Sequence, residues 1–566
     1  MPLTIDGKIL EFEKGQTILQ VAKANKIDIP TLCYHSMLRP EGRCRVCLVE
    51  ANGKIVTACD TLAEDKMQVV TNSEIIRKFR IEALNLIAST VPKETLRKDN
   101  ELTRVMRIVG LKKPTYKHEV VKDKDRSSTA VWKSMDECIV CGRCVQACSK
   151  MQTVNALSYM GRGYSTIVVG SENQPLKYTN CVSCGQCSLF CPTDAITEAS
   201  NVSKVEHALK TKGKVKVVQL APSVRVSLGE CFGLEPGTII TGQVVAALKK
   251  LGFDAVFDTN LSADLTIVEE ATEFVERFKK GNLPMFTSCC PAWIDFCCEF
   301  YPELISKLSE TKSPQMMLGA LIKTYYSEKI GLKPNDIISV SIMPCTAKKR
   351  EAKLIGINAS QNKDIDYVLT TRELGLLLKR RKINPAKLKA ADFDCPLGES
   401  TGGGALFGVT GGVMEAALRT AHFYMEDKEM SDPVIKPVRG TQSLREFEVN
   451  IGEKKIRGAV VHTLGKAREI IERIKNGERF DFVEVMACPG GCIGGGGQPK
   501  PVDWETIEKR AKAVYSIDES KKIRLCHQNP ELKKVYETFL QSPGSKKAKS
   551  LLHRKYPKRG KPEQSE

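Results

Sequence analysis

The chain has 566 residues, 42% of them apolar, with 22 cysteines and a formal net charge of +19. That length gives room for several domains and at least one sizeable core, and cysteines this numerous in a long sequence point to metal ligation rather than to a disulfide scaffold. No stretch approaches the apolar length of a membrane span, and Met1 leads into PLTIDGKILEFE without a signal-like hydrophobic run, so a reducing cytoplasm is the expected home.

The positive charge stands without the aromatic interleaving or motif of a nucleic-acid binder. Iron-sulfur clusters would offset much of it, since a cubane with four thiolates carries about two net negative charges. The remainder gathers in places such as SKKAKSLLHRKYPKRGKP, from Ser545 to Pro562. That tail reads as a solvated segment or as a docking surface for an acidic electron carrier or partner subunit.

In residues 1–75, Asp6-Gly7 between PLTI and KILEFE signals a hairpin, and TILQVAKANKI an amphipathic helix. Cys33, Cys44, Cys47 and Cys59 follow, with only one CxxC pair among them. Two thiolates per iron in a [2Fe-2S] cluster suit that spacing better than a zinc ribbon, which shows two such pairs. The segment resembles the β-grasp domain of plant-type ferredoxins.

Residues 76–130 read as a helical connector, with an apolar stripe at Ile76, Phe79, Ala83 and Leu86 and a Lys/Asp-rich linker around 117–128. From residue 75 to 110 there is neither cysteine nor histidine. In 131–203, CIVCGRCVQACSK and CVSCGQCSLFCPTDA repeat the CxxCxxCxxxC run of a two-cluster ferredoxin. The fourth cysteine of each run crosses to the other cluster. Cys138, Cys141, Cys144 and Cys191 are thus expected to hold one [4Fe-4S] cubane, and Cys181, Cys184, Cys187 and Cys148 the other.

The body at 204–502 has α/β character. KVKVVQLAPSVR reads as a buried strand turning out at Pro222, GQVVAALKKLGFDAVFD as helix then strand, and IISVSIMPC as a strand ending in a loop. Three stretches carry the chemistry: TSCCPAW at 287–293, MPCTAKK at 343–349 and EVMACPGGCIGGGGQP at 484–499. They resemble the signature loops of the iron-only, or [FeFe], hydrogenases, and the resemblance runs from about residue 210 to 557.

The resemblance implies an enzyme that interconverts dihydrogen with protons and electrons. It implies an α/β catalytic body preceded by a β-grasp [2Fe-2S] domain and an α+β two-[4Fe-4S] ferredoxin domain, with 503–566 a fused small-subunit segment and basic tail. Its H-cluster is a cubane on Cys290, Cys345, Cys488 and Cys492, the last bridging to a diiron unit with CO, cyanide and dithiolate ligands. Lys348 would meet one cyanide and Ala221, Pro222 and Ser223 the other. Gln315, Met343, Phe407 and Met486 would wall the site. Cys289 would relay protons, with Glu270, Glu273, Ser309 and Arg277 leading to solvent; Glu270, Glu273 and Arg277 also fit a salt-bridged face of one helix.

Long hydrogenases of this kind usually carry a histidine and three cysteines for a further [4Fe-4S] cluster in the connector, so that cluster is expected to be absent here. The expected electron partner is ferredoxin or an NAD(P)-linked flavoprotein subunit, because the chain shows no nucleotide-binding glycine pattern of its own. The family also implies maturation proteins. The alternative is a non-catalytic iron-sulfur electron-transfer or assembly scaffold; a respiratory NADH-dehydrogenase subunit would leave the three loops unexplained. Cys231, Cys297, Cys298, Cys395 and Cys526 fit none of these spacings and are expected to be small apolar fillers.

Overall fold

Asp6 and Gly7 take φ of 50° and 80°, the handedness a two-residue hairpin needs, and join strands Pro2–Ile5 and Lys8–Glu11. In this computed structural model, which describes residues 1–116, 123–557, 560, 563 and 564, they open a five-stranded sheet completed by Gln68–Val70, Leu48–Ala51 and Lys54–Thr57. Helix Ile18–Ala24 begins with a Thr17/Gln20 capping box and buries Ile18, Leu19, Val21 and Ala22. These pack with Leu3, Ile5, Val49 and Val69 of the sheet. Residues 117–122 of the expected linker, and 558, 559, 561 and 562 of the basic tail, lie outside the described residues.

The chain divides into two units, one of Met1–Met151, Asn155–Thr179 and Phe190–Thr197, the other of Gln152–Val154, Asn180–Leu189 and Glu198–Glu566. In the first, the connector forms helices Glu74–Ser89 and Glu101–Val109. The helical expectation holds there but the buried face differs. Ile76, Arg80, Leu84 and Ala88 are buried, whereas Phe79 and Leu86 are exposed. The cause is Arg80, whose guanidinium donates to the Leu48 carbonyl at 3.0 and 2.6 Å and so takes a charged residue into the packed ridge.

The second unit holds two four-stranded sheets. In one, Val215–Leu220 lies parallel between Ala255–Asp258 and Ile337–Met343, and Tyr367–Thr370 extends the parallel run. The near-continuous apolar character of these strands suits a parallel sheet covered on both faces. In the other, Phe482–Met486 runs parallel to Met285–Phe286 and to Lys454–His462, with Leu444–Ile451 antiparallel at the edge. Helix Thr259–Lys280 buries most of its first four turns. Helix Trp504–Ser520 buries Ile507, Ala511 and Val514, and its Arg510 donates to Glu230 at 2.6 Å and to the Ile493 carbonyl at 2.7 Å.

Among the five unassigned cysteines, Cys297, Cys298 and Cys526 are buried and Cys231 is half-buried. Cys395 departs from the filler expectation: it is exposed, on the loop between Pro385–Lys387 and Gly402–Ala405, whose buried apolar anchor is Leu397 instead.

Candidate active site and metal centres

Four loops leave the C-terminal ends of parallel strands and meet. Ala221–Ser223 follows Val215–Leu220, Pro344 and Cys345 follow Ile337–Met343, Cys289 and Cys290 follow Met285–Phe286, and Cys488 follows Phe482–Met486. Strand ends of this kind are where open α/β sheets place reactive loops. Around them is a cavity of about 70 Å³, lined by Cys290, Cys345, Cys488 and Cys492 on one side and by Met343, Phe407 and Met486 on another. Ala221, Pro222, Ser223, Gln315, Cys289 and Lys348 complete the wall. One water needs only about 10–15 Å³ on such a measure, so the space is that of a larger group.

The glycine run is explained by close approach. A Cβ on Gly495 would stand 2.3 Å from the Pro344 carbonyl oxygen, and one on Gly496 would stand 2.5 Å from that of Cys184. The loop is therefore pressed between the turn bearing Cys345 and the turn bearing Cys184. Gln186 Nε2 donates to the Gly494 carbonyl at 3.1 Å, and Thr346 Oγ1 to that of Ser183 at 2.7 Å.

Lys348 is buried with its ammonium 2.8 Å from Glu351 and 3.2 Å from the Cys289 carbonyl. Burial works to lower its pKa, but Glu351 outweighs it and the net shift is upward. Glu351 also accepts from Ser313 and Gln315, each at 2.9 Å, and Gln315 Oε1 accepts from Ser341 at 2.8 Å. The sequence reading missed Glu351; its place one helical turn after Lys348 was the available signal. Among the described residues, the buried Ser223 hydroxyl has no partner.

Cys289 is buried, and burial followed by the Glu270 charge pushes its thiol well up. Glu270 is fully buried; burial and then Glu273 raise its carboxyl to about 8. Among the described residues neither of its oxygens has a well-formed hydrogen bond, although Ser309 and the Ser288 N–H lie near enough to lower the pKa in part. Further out, Glu273 accepts from Ser309 at 2.9 Å and pairs with Arg277 at 2.6 Å. Arg277 also donates to the Leu308 carbonyl at 2.8 Å. This face is a salt-bridged helix surface that reaches inward to Glu270. Thr311 and Ser288, not anticipated, extend the hydroxyl chain: Ser309 meets Thr311 Oγ1 at 2.8 Å, and Ser288 donates to the Thr311 carbonyl at 2.7 Å.

In the first unit, Cys33, Cys44, Cys47 and Cys59 are all buried. Their thiols lie within hydrogen-bonding reach, Cys33 of Cys44 and Cys59, and Cys47 of Cys59. Cys138, Cys141, Cys144 and Cys191 surround a smaller cavity of about 10 Å³. Cys148 also belongs to this unit, with the Ala156 N–H donating to its sulfur at 3.2 Å. Cys181, Cys184 and Cys187 belong to the second unit, where the charge of Cys184 is felt at Cys488.

Converging sulfurs that receive backbone N–H groups, with few competing oxygen donors, are the donor set of iron-sulfur clusters. The cavity between the four loops adds a fixed ammonium, a hydroxyl with no partner among the described residues, and apolar walls, which suit an anionic, water-shy metal group. Such a fold and site define an iron-sulfur oxidoreductase.

The chain belongs to the iron-only hydrogenases. Residues 214–496 match the iron-only hydrogenase large subunit, C-terminal domain, and 504–559 the iron hydrogenase small subunit. Residues 1–74 match a 2Fe-2S iron-sulfur cluster binding domain and 137–232 a 4Fe-4S dicluster domain. The chain is 42% identical over 579 residues to the NADP-reducing hydrogenase subunit HndD of Solidesulfovibrio fructosivorans, covering 99% of each chain. It is 40% identical over 576 residues to iron hydrogenase 1 of Clostridium pasteurianum, covering 98% of this chain and 100% of that one. A variant of [FeFe]-hydrogenase HydA1 from Chlamydomonas reinhardtii superposes with a TM-score of 0.58 at 39% identity, over 64% of this chain and 100% of that one.

The protein is therefore an [FeFe] hydrogenase. It oxidises dihydrogen reversibly to protons and electrons at an H-cluster, with relay through two [4Fe-4S] clusters and one [2Fe-2S] cluster. Among the described residues, no helix is long and apolar enough to cross a membrane.

Proposed function

We propose that Cys290, Cys345, Cys488 and Cys492 hold the cubane of the H-cluster, with Cys492 the bridge, and that the wall residues serve its diiron unit. When bound, the H-cluster supplies an open iron site that polarises dihydrogen and a dithiolate amine that takes its proton. Lys348, kept charged by Glu351, has three N–H donors and offers one to a cyanide. Ser223, whose hydroxyl has no partner among the described residues, and its neighbours Ala221 and Pro222 would face the other. Met343, Phe407 and Met486 keep water out, and Gln315 is fixed by Glu351 and Ser341. Cys289 passes the proton to Glu270, and Ser309, Glu273 and Arg277 lead it outward. A carboxyl raised to about 8 is protonated at neutral pH yet close enough to exchange, which suits a relay.

The observation that carries this reading is a buried, charged Lys348 beside four thiols at one cavity. Infrared spectra of matured, anaerobic protein test it. Metal-bound CO and cyanide bands that shift under dihydrogen, and whose cyanide bands move in Lys348→Met, support it; their absence in protein with full cubanes overturns it. The scaffold reading is less supported, because two relatives that match nearly the whole chain are named as hydrogenases.

The chain is read here as 1–75 β-grasp domain, 76–130 connector without a cluster, 131–203 two-cubane ferredoxin domain of α+β type, 204–502 α/β catalytic domain and 503–566 small-subunit segment. It works in the cytoplasm, receives its H-cluster from maturation proteins, and exchanges electrons with an NAD(P)-linked flavoprotein subunit. The similarity over 99% of the chain to a protein named as an NADP-reducing hydrogenase subunit supports that partner over ferredoxin. Copurification of a flavoprotein that confers dihydrogen-dependent NADP⁺ reduction is the expected result; ferredoxin reduction by the isolated chain at full rate would reverse the choice.

A further inference from the structure

Within the first unit, residues of the front cysteine group and of the neighbouring cubane group meet, three of these contacts involving rings or a buried guanidinium. The ring of His35, two residues after Cys33, meets that of Phe190, next to Cys191, edge-on at 4.6 Å. Arg43, next to Cys44, lies over the Tyr159 ring at 4.5 Å. The third contact is Arg143, between Cys141 and Cys144 in sequence. Its guanidinium is 2% exposed and donates to the Tyr34 carbonyl at 2.6 Å and to Glu101 at 2.6 and 2.8 Å. Its Nε is buried with no acceptor among the described residues. Cys33, Cys44 and Cys141 also share one apolar cluster with Leu84, Leu102 and Met106 of the connector helices.

A guanidinium cannot lose its charge in a protein, and a buried one is tolerated only when paired. Glu101 supplies the pairing, and it comes from the connector that carries no cluster ligands of its own. Yet its side chain is 37% exposed, so its field is screened by solvent where that of Arg143 is not. The charges of both Cys33 and Cys141 are felt at Arg143. The orphaned Nε–H is a donor in want of an acceptor, and cluster sulfur accepts such bonds.

We propose that Arg143 is a positioning residue for electron transfer: its buried charge, held by Glu101, raises the midpoint potentials of the [2Fe-2S] cluster and of the adjacent cubane together. Each cluster gains one negative charge on reduction, so a fixed cation between them favours both reduced forms. The two shifts have the same sign, so both reduced forms are favoured while the difference between the two potentials is little altered. This rests on the ligand assignment made above.

The test is a redox titration followed by electron paramagnetic resonance on cluster-loaded full-length protein, comparing wild type with Arg143→Met, Arg143→Lys and Glu101→Gln. Iron content and the two cluster spectra report the ligand assignment, and the potentials report the proposal. Arg143→Met is expected to lower both midpoints, with the reduced fraction at fixed potential falling tenfold, which is about 59 mV for one electron. Arg143→Lys should fall between, and Glu101→Gln should move both midpoints the other way. Should Arg143→Met fail to hold its clusters, Glu101→Gln decides alone. Unchanged midpoints in cluster-replete Glu101→Gln, or a downward shift there, overturn the proposal.

Discussion

Lys348 and Glu351 form an ion pair 2.8 Å long one helical turn apart, both buried, at the wall of the cavity that the four cysteines surround. Replacing Glu351 by alanine leaves the ammonium buried without its counter-charge, which costs about 3–5 kcal/mol. It also frees Gln315 and Ser313. The expected result is a lower denaturation midpoint and infrared cyanide bands that broaden or shift, while the iron of the other clusters stays bound.

Glu270 predicts a dependence on pH with a definite sign. Its folded pKa, about 8, lies above the ordinary 4.5, so the folded chain holds a proton that the unfolded chain releases. Its contribution to stability is full below about pH 4.5 and is lost as pH rises through about 8, by roughly 1.4 kcal/mol per pH unit between the two. Glu270→Gln should remove that slope, so the wild-type melting midpoint should fall more than the variant's between pH 5.5 and 8.

The same substitution separates proton delivery from cofactor binding. Glu270→Gln and Cys289→Ala should each reduce dihydrogen turnover by about 10²–10⁴ while retaining the CO and cyanide bands. Loss of those bands with loss of turnover would assign the two residues to cofactor retention instead.

Gly495→Ala places a methyl 2.3 Å from the Pro344 carbonyl oxygen. Backbone cannot yield as a flexible side chain does, so the loop must shift, at about 1–3 kcal/mol. The Cys345 and Cys492 turns should separate, and the iron count should drop by one H-cluster while the ferredoxin-type clusters remain.

What the sequence made legible was chemistry that depends on local spacing. The CxxC turns, the Asp6-Gly7 hairpin and the apolar runs at Val215–Leu220 and Ile337–Met343 each settle within a few residues, where chain geometry allows few choices. That Cys290 and Cys492 reach one cavity depends on strands about 200 residues apart in sequence, and only the likeness of the three loops to known ones pointed to it. The buried face of Glu74–Ser89 was misread because hydrophobicity ranks Phe79 above Arg80, whereas Arg80 finds the Leu48 carbonyl. Glu351, Thr311 and Ser288 were passed over because a buried polar residue shows no sign of its partners until the chain is folded. Cys395 was taken for filler because a thiol's apolar character does not say which side of the surface a loop will take.

At Gly496 a second turn comes in from the other side, that of Cys184. The coupling between two redox sites falls off steeply with the thickness of what separates them. At Gly496 the contact is main chain on main chain, against Cys184 and Gly185. Glycine at this point therefore acts as a spacer of minimum width; with the cluster ligands proposed above, it would make the speed of electron arrival at the H-cluster a property of the backbone itself.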